Sequence, residues 1–154
     1  MYLAILAIHN FNRWLILLFS VSSFGKSLIG WKNNSEWQNT DDKLSVGVMG
    51  TVHLQFLLGL MLYFWLSPVT KLAFQNMKMA MKDKALRFFA VEHFVGMFVA
   101  VIVVSIARVR SKKLEAGARH RFWFIGLLVF ILIVLASTPW PGLAHGRPLI
   151  RSPF

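Results

Sequence analysis

The stretch FWFIGLLVFILIVLAS, residues Phe122–Ser137, contains no charged side chain and ends in its only hydroxyl group. An apolar run of this kind is typical of a helix that crosses the hydrocarbon core of a membrane. The Thr138-Pro139 pair that follows ends the run, because proline cannot continue a helix. The stretch therefore predicts a membrane-spanning helix over about residues 119–138.

Three further apolar blocks precede it and predict helices over about residues 2–29, 44–66 and 85–107. About 20 residues are needed to cross ~30 Å of hydrocarbon, and the blocks are of that order. The connections are short, so consecutive helices lie side by side and antiparallel. We predict an all-α integral membrane protein, a single up-down-up-down four-transmembrane-helix bundle with an extramembrane tail at 142–154. Both termini are then expected on the same side of the membrane, which we call side A. We call the opposite side of the membrane side B.

Composition and charge agree with a bilayer environment. Apolar residues make up 56% of the chain and charged residues 15%, whereas soluble domains carry about 25% charged residues. A soluble enzyme domain, a disordered tail and a disulfide scaffold are excluded. The net charge of +11 resides mostly in the connections, where lipid headgroups account for it better than nucleic acid. The absence of cysteine excludes thiolate metal sites and covalently attached haem.

Four of the five histidines fall one per predicted helix: His9, His53, His93 and His120. At 1.5 Å per residue, His9 lies ~12 Å and His93 ~9 Å from side A. His53 and His120 lie toward side B, offset from each other by roughly 4–8 Å. In a bundle with neighbours in chain order, the first and third helices are diagonal, as are the second and fourth. The sequence thus contains two diagonal histidine pairs.

A diagonal pair is what bis-histidine haem b requires, because two imidazoles must approach the iron from opposite faces. We predict axial ligation by His9 with His93, and a second haem between His53 and His120. Small residues one turn from the ligands would leave room for a porphyrin; they are Gly50, Ala90 and Gly96.

Other interpretations of these histidines stay open. A membrane histidine can be a hydrogen-bonded packing residue or line a polar cavity. His120 lies between Arg119 and Arg121 and could be part of a basic interfacial anchor. His145, in the tail, is expected to face solvent or a headgroup.

Two charges inside the apolar blocks need partners. Arg13 follows His9 by one turn, and Glu92 immediately precedes His93. One hypothesis pairs Arg13 with Glu92; another has Arg13 bind a haem propionate while Glu92 exchanges a proton. Asn10, Asn12, Gln55 and Tyr63 are candidates for hydrogen bonds to a quinone head group.

Four stretches resemble a known group: HNFNRW (9–14), HLQFLLGL (53–60), RFFAVEH (87–93) and PWP (139–141). They resemble short four-helix proteins labelled cytochrome B in bacterial genomes. The resemblance covers essentially the whole chain and implies non-covalent haem b, electron transfer and a multi-pass location in the bacterial inner membrane. The diagonal pairing is also similar to larger transmembrane dihaem cytochromes, whose additional helices this chain lacks.

The predicted function is therefore a membrane b-type cytochrome that carries electrons through one or two bis-histidine haems b. It would act within or beside a respiratory complex or quinone pathway, or as a homodimer, and not as a stand-alone enzyme. One alternative is a haem-free accessory subunit of a respiratory membrane complex. Another is a metal or proton transporter with His9, His93 and Glu92 along its path.

Overall fold

All regular structure in residues 1–150, which the computed structural model describes, is helical. Two short helices, Pro68–Gln75 and Met77–Ala80, lie in one of the connections. Four helices in this part are long and apolar enough to cross a membrane: helix 1, Tyr2–Lys32; helix 2, Asn39–Leu66; helix 3, Lys84–Ser111; and helix 4, Ala116–Ser137. The prediction of an all-α, four-helix multi-pass membrane protein is confirmed.

The spanning helices extend beyond the apolar blocks that predicted them. Helix 2 begins at Asn39 instead of about residue 44, because the Gln38 backbone N–H donates to Asp41 Oδ2 at 2.8 Å in a capping box. Helix 3 continues to Ser111 instead of about residue 107. Apolar composition marks the hydrocarbon boundary, whereas backbone hydrogen bonds continue into polar residues until a cap or turn ends them.

The bundle has its helices in chain order around its axis. Helix 1 packs along helices 2 and 4, and helix 3 packs along helix 4 and, less extensively, along helix 2. Helices 1 and 3 are therefore diagonal, as are helices 2 and 4. In the core, Leu127, Val48 and Val104 are fully buried, and Trp123 Nε1 donates to Ser23 Oγ at 2.8 Å. The up-down-up-down arrangement is confirmed.

Helices 1 and 4 approach closely at a glycine near side B. A Cβ atom built on Gly30 would lie 2.5 Å from the ring of His120, which is itself fully buried. Helices 3 and 4 approach in the same way where Gly126 meets the Cβ of Ala107. Small residues at such crossings let membrane helices pack backbone to backbone.

Gly30→Ala is expected to lower the free energy of unfolding by about 2 kcal/mol, because the added methyl group overlaps the buried His120 ring. The matched control is Gly25→Ala on the same helix, where a Cβ atom would meet nothing within 4 Å. Thermal unfolding in detergent would measure both. Equal stability of the two variants would contradict the packing of helix 1 against His120.

Helices 2 and 3 both contact the short helix Pro68–Gln75 at side A, and both contain a π-helical turn. Helix 2 ends in Leu62–Leu66, and helix 3 contains Phe88–Glu92 between Lys84–Arg87 and His93–Ser111. The Tyr63 hydroxyl joins the two turns by donating to the Ala90 carbonyl at 2.7 Å. Single π-helical turns widen a helix locally and are frequent at functional sites.

The tail folds back onto the bundle at side A. His145 is half-buried and stacks on Phe88, with ring centroids 3.6 Å apart. The expectation that His145 faces solvent or a headgroup is wrong, because the chain turns after Pro139 and brings the His145 ring against helix 3 and the Leu149 carbonyl against helix 1. Residues 151–154 of the predicted tail lie outside the described part.

Candidate cofactor cavity

A cavity runs between the four helices from side A toward the middle of the bundle. The cavity has a volume of about 190 Å³ and is open along one side. His9 from helix 1 and His93 from helix 3 both line it. The rest of the wall is mainly apolar, with Leu6, Phe56, Phe94, Met97, Phe130 and Val134 among its side chains.

The imidazole of His93 is held in one tautomer. Its Nδ1 lies 2.7 Å from the carbonyl oxygen of Ser137, the last residue of helix 4. A carbonyl can only accept a hydrogen bond, so Nδ1 carries the proton and Nε2 keeps a free lone pair. Histidines that bind metals are typically oriented by such a second hydrogen bond.

The imidazole of His9 has an unsatisfied nitrogen. Its Nδ1 is buried and has no hydrogen-bond partner among the described residues, which is uncommon for a buried polar atom. Across from the ring, helix 2 has Gly59, where a Cβ atom would lie 3.4 Å from His9 Cε1. Near His9, helix 1 is bound to helix 2 by Gln55 Nε2, which donates to the His9 carbonyl at 3.0 Å.

The donor set suits a porphyrin better than a bare metal ion. Among residues 1–150, no group of three or more His, Cys, Asp or Glu side chains could hold a metal, whereas bare zinc needs three or four protein ligands. Haem iron needs only axial ligands from the protein, since the macrocycle supplies the other four. Two histidines that come from diagonal helices and line one mainly apolar cavity fit that requirement.

The two charged side chains that line the cavity, apart from histidine, are Arg13 and Arg147. Arg13 does not pair with Glu92, so that hypothesis is wrong. Its NH2 group instead donates to the Leu149 carbonyl at 2.6 Å. Glu92 is exposed and accepts from Arg87 Nε at 2.7 Å, because the π-helical turn places it outside the cavity wall. The path through His9, His93 and Glu92 that a transporter would use is not assembled.

The polar groups proposed for a quinone head group are engaged in hydrogen bonds elsewhere. Asn12 Nδ2 donates to the Thr51 carbonyl and to Gln55 Oε1, at 2.8 and 2.9 Å. Asn10 Nδ2 donates to the Pro148 carbonyl at 3.3 Å, and the Gln55 amide and the Tyr63 hydroxyl are used as described above. Each of these side chains thus uses at least one donor to join helices or to hold the tail.

His53 and His120 do not share a cavity. His53 is exposed on the outer surface of helix 2, where Nε2 lies 3.5 Å from Ser105 Oγ. His120 is buried near side B beside Trp37, with ring centroids 4.9 Å apart, and both of its nitrogens lack hydrogen-bond partners within residues 1–150. A second cavity is lined by His120 together with Lys26, Gln38 and Asp41, but not by His53. The geometry of the described residues therefore offers no place for a haem between these two histidines.

Three residues of the site were missed from the sequence. Ser137 could have been found, because Pro139 ends helix 4 just beyond it and the last carbonyls of a helix have no partner within the helix. The sequence around Gly59 and Arg147 contains no comparable feature that would assign them to the site. Their role depends on how helix 2 and the tail pack against helix 1.

No family model, curated protein or solved structure matches the chain. The resemblance to the short cytochrome B proteins therefore stays a prediction, and the cavity with its two histidines carries the functional argument.

Proposed function

We propose that the protein is a membrane b-type cytochrome that holds one haem b between His9 and His93. The observation that carries the proposal is the meeting of these two imidazoles in one apolar cavity, from helices that are diagonal in the bundle. An unpaired polar atom buried at such a place is costly unless something binds it. Iron bound by His9 Nδ1 would satisfy that atom, and His93 Nε2 has the free lone pair that a second ligand needs.

The residues of the chain have separate roles in this proposal. The Ser137 carbonyl orients His93 and, by accepting a hydrogen bond from Nδ1–H, makes Nε2 a stronger donor to a metal. The apolar wall keeps water away and thereby influences the reduction potential. Haem bound there would supply a one-electron couple, and the chain would pass single electrons to and from partners at the membrane.

The finer identity of the system belongs to the same proposal. From the resemblance and from the short connections, we infer a location in the bacterial inner membrane. The partner would be a respiratory complex or a second copy of the chain, and the electron donor or acceptor would be a quinone. A second haem is not part of the proposal, because His53 lies on the outer surface.

The test is a reduced-minus-oxidised spectrum of the detergent-purified full chain, with its haem-to-protein ratio. We expect a bis-histidine b-type spectrum and about one haem per chain. A ratio of about two would contradict the single site. A folded chain from haem-replete cells that contains no haem would overturn the proposal and favour the haem-free accessory subunit.

A further inference from the structure

The tail forms part of the cavity wall through Pro139 and Arg147. After helix 4 ends at Ser137, the backbone N–H of Arg147 donates to the Pro139 carbonyl at 3.0 Å and closes a compact loop. Gly142 adopts a φ of +91°, a conformation that residues with a side chain rarely take. The loop returns Arg147 to the cavity wall.

Helix 1 holds the tail through backbone carbonyls. Arg13 and Trp14 both donate to the Leu149 carbonyl, at 2.6 and 3.2 Å, and Asn10 donates to the Pro148 carbonyl. On the other side, Arg147 lies over the ring of Phe89, with its guanidinium carbon 4.9 Å from the ring centroid. The tail therefore bridges helix 1 and the π-helical turn of helix 3.

Apart from the histidines, the charged side chains that line the cavity are all positive. Arg13 and Arg147 line it, and no aspartate or glutamate of the described chain does. Neither guanidinium forms an ion pair within residues 1–150. Arg13 is 9% exposed, and its Nε is buried without a hydrogen-bond partner. Two cations, one of them buried with an unsatisfied N–H group, favour an occupant that carries negative charge at this end.

We propose that Arg13 and Arg147 bind the two carboxylates of the haem held between His9 and His93, so that the tail is itself part of the haem site. This inference rests on the proposed function and adds a binding residue and a role for the tail. Haem carries two propionate carboxylates on one edge, and an arginine binds a carboxylate through two parallel hydrogen bonds. The apolar remainder of the macrocycle would then lie against the apolar wall.

The first test compares haem with haem dimethyl ester, whose carboxylates are blocked, on the full chain freed of haem. The wild-type chain is expected to bind haem at least about tenfold more tightly than the ester, because the ester cannot form charge-assisted hydrogen bonds. In the Arg13→Gln/Arg147→Gln double variant, this preference should fall to less than about threefold. An undiminished preference in the double variant would overturn the inference.

The second test isolates the tail through the rate at which haem passes to apomyoglobin added as a scavenger. Arg147→Gln is expected to lose haem about tenfold faster than the wild type while it keeps the bis-histidine spectrum. The control is Arg121→Gln at side B, where the exposed Arg121 lies over the Trp31 ring and outside the cavity. Equal rates for the wild type and Arg147→Gln would count against a role of the tail.

Failure of this inference differs from failure of the proposed function. If haem binds with a bis-histidine spectrum and the arginine variants behave as the wild type, only the carboxylate assignment is wrong. If neither haem nor its ester gives a bis-histidine spectrum with the wild-type chain, the cytochrome proposal itself is wrong.

Discussion

Replacing His93 by alanine should reduce the haem content of the purified chain to less than about a tenth of the wild-type value. Removal of an outer partner of a metal ligand already costs about 10–100-fold in affinity, and removal of the ligand itself should cost at least as much. The same loss is expected for His9→Ala, because each imidazole would occupy one of the two axial positions. Pyridine haemochrome assay of detergent-purified protein, normalised to protein, measures the effect.

The matched control is His53→Ala, which removes an imidazole from the outer surface of the neighbouring helix. It should keep the wild-type haem content and spectrum. His120→Ala should also keep its haem, although the loss of a buried ring beside Trp37 would reduce stability. A His93→Ala variant with an unchanged bis-histidine spectrum, or a haem-free His53→Ala variant, would show that the ligands are assigned to the wrong helices.

Replacing Asp42 by asparagine should strongly destabilise the packing of helices 2, 3 and 4 near side B. Asp42 Oδ1, on helix 2, accepts from Arg108 of helix 3 at 2.8 Å and from Arg119 of helix 4 at 3.3 Å. Arg108 is 7% exposed, so its charge would remain buried without a counterion. We expect the free energy of unfolding to fall by about 3 kcal/mol, the lower end of the range for a broken buried pair, because Asp42 itself is half-exposed.

Unfolding of the variant in detergent, followed by circular dichroism, tests this expectation. Glu36→Gln is the control, because Glu36 is an exposed carboxylate in the preceding connection without an ion pair in the described part of the chain. The double variant Asp42→Asn/Arg108→Gln should be more stable than Asp42→Asn alone, since it removes the stranded charge as well. If Asp42→Asn were no less stable than Glu36→Gln, the ion pairs of Asp42 with Arg108 and Arg119 would contribute little to the free energy of unfolding.

The fold was predictable because its main determinant is local. A bilayer requires a continuous apolar segment of fixed length, so each of the four blocks indicates a spanning helix without reference to the others. The Asn39 start of helix 2 was less predictable, because its capping box lies among polar residues outside the apolar block.

The two histidines of the candidate site could also be predicted from the sequence. His9 and His93 share a level because their distances from the starts of their helices are similar, and a constant rise per residue converts sequence position into depth. The same arithmetic gave depths for His53 and His120, and the chain order placed them on diagonal helices, but neither could say which way each side chain faces. A helix that is apolar on all sides has no amphipathic pattern from which its inward face could be identified.

The sequence by itself therefore determined the number of helices, their order and the depth of each histidine, since these follow from the length and composition of single segments. The tertiary structure alone decided which faces meet: that His53 lies outside, that Glu92 pairs with Arg87 instead of Arg13, and that the tail returns Arg147 to the cavity. These outcomes depend on the rotation of each helix about its axis and on contacts between residues far apart in the chain, and both are fixed only when the helices pack.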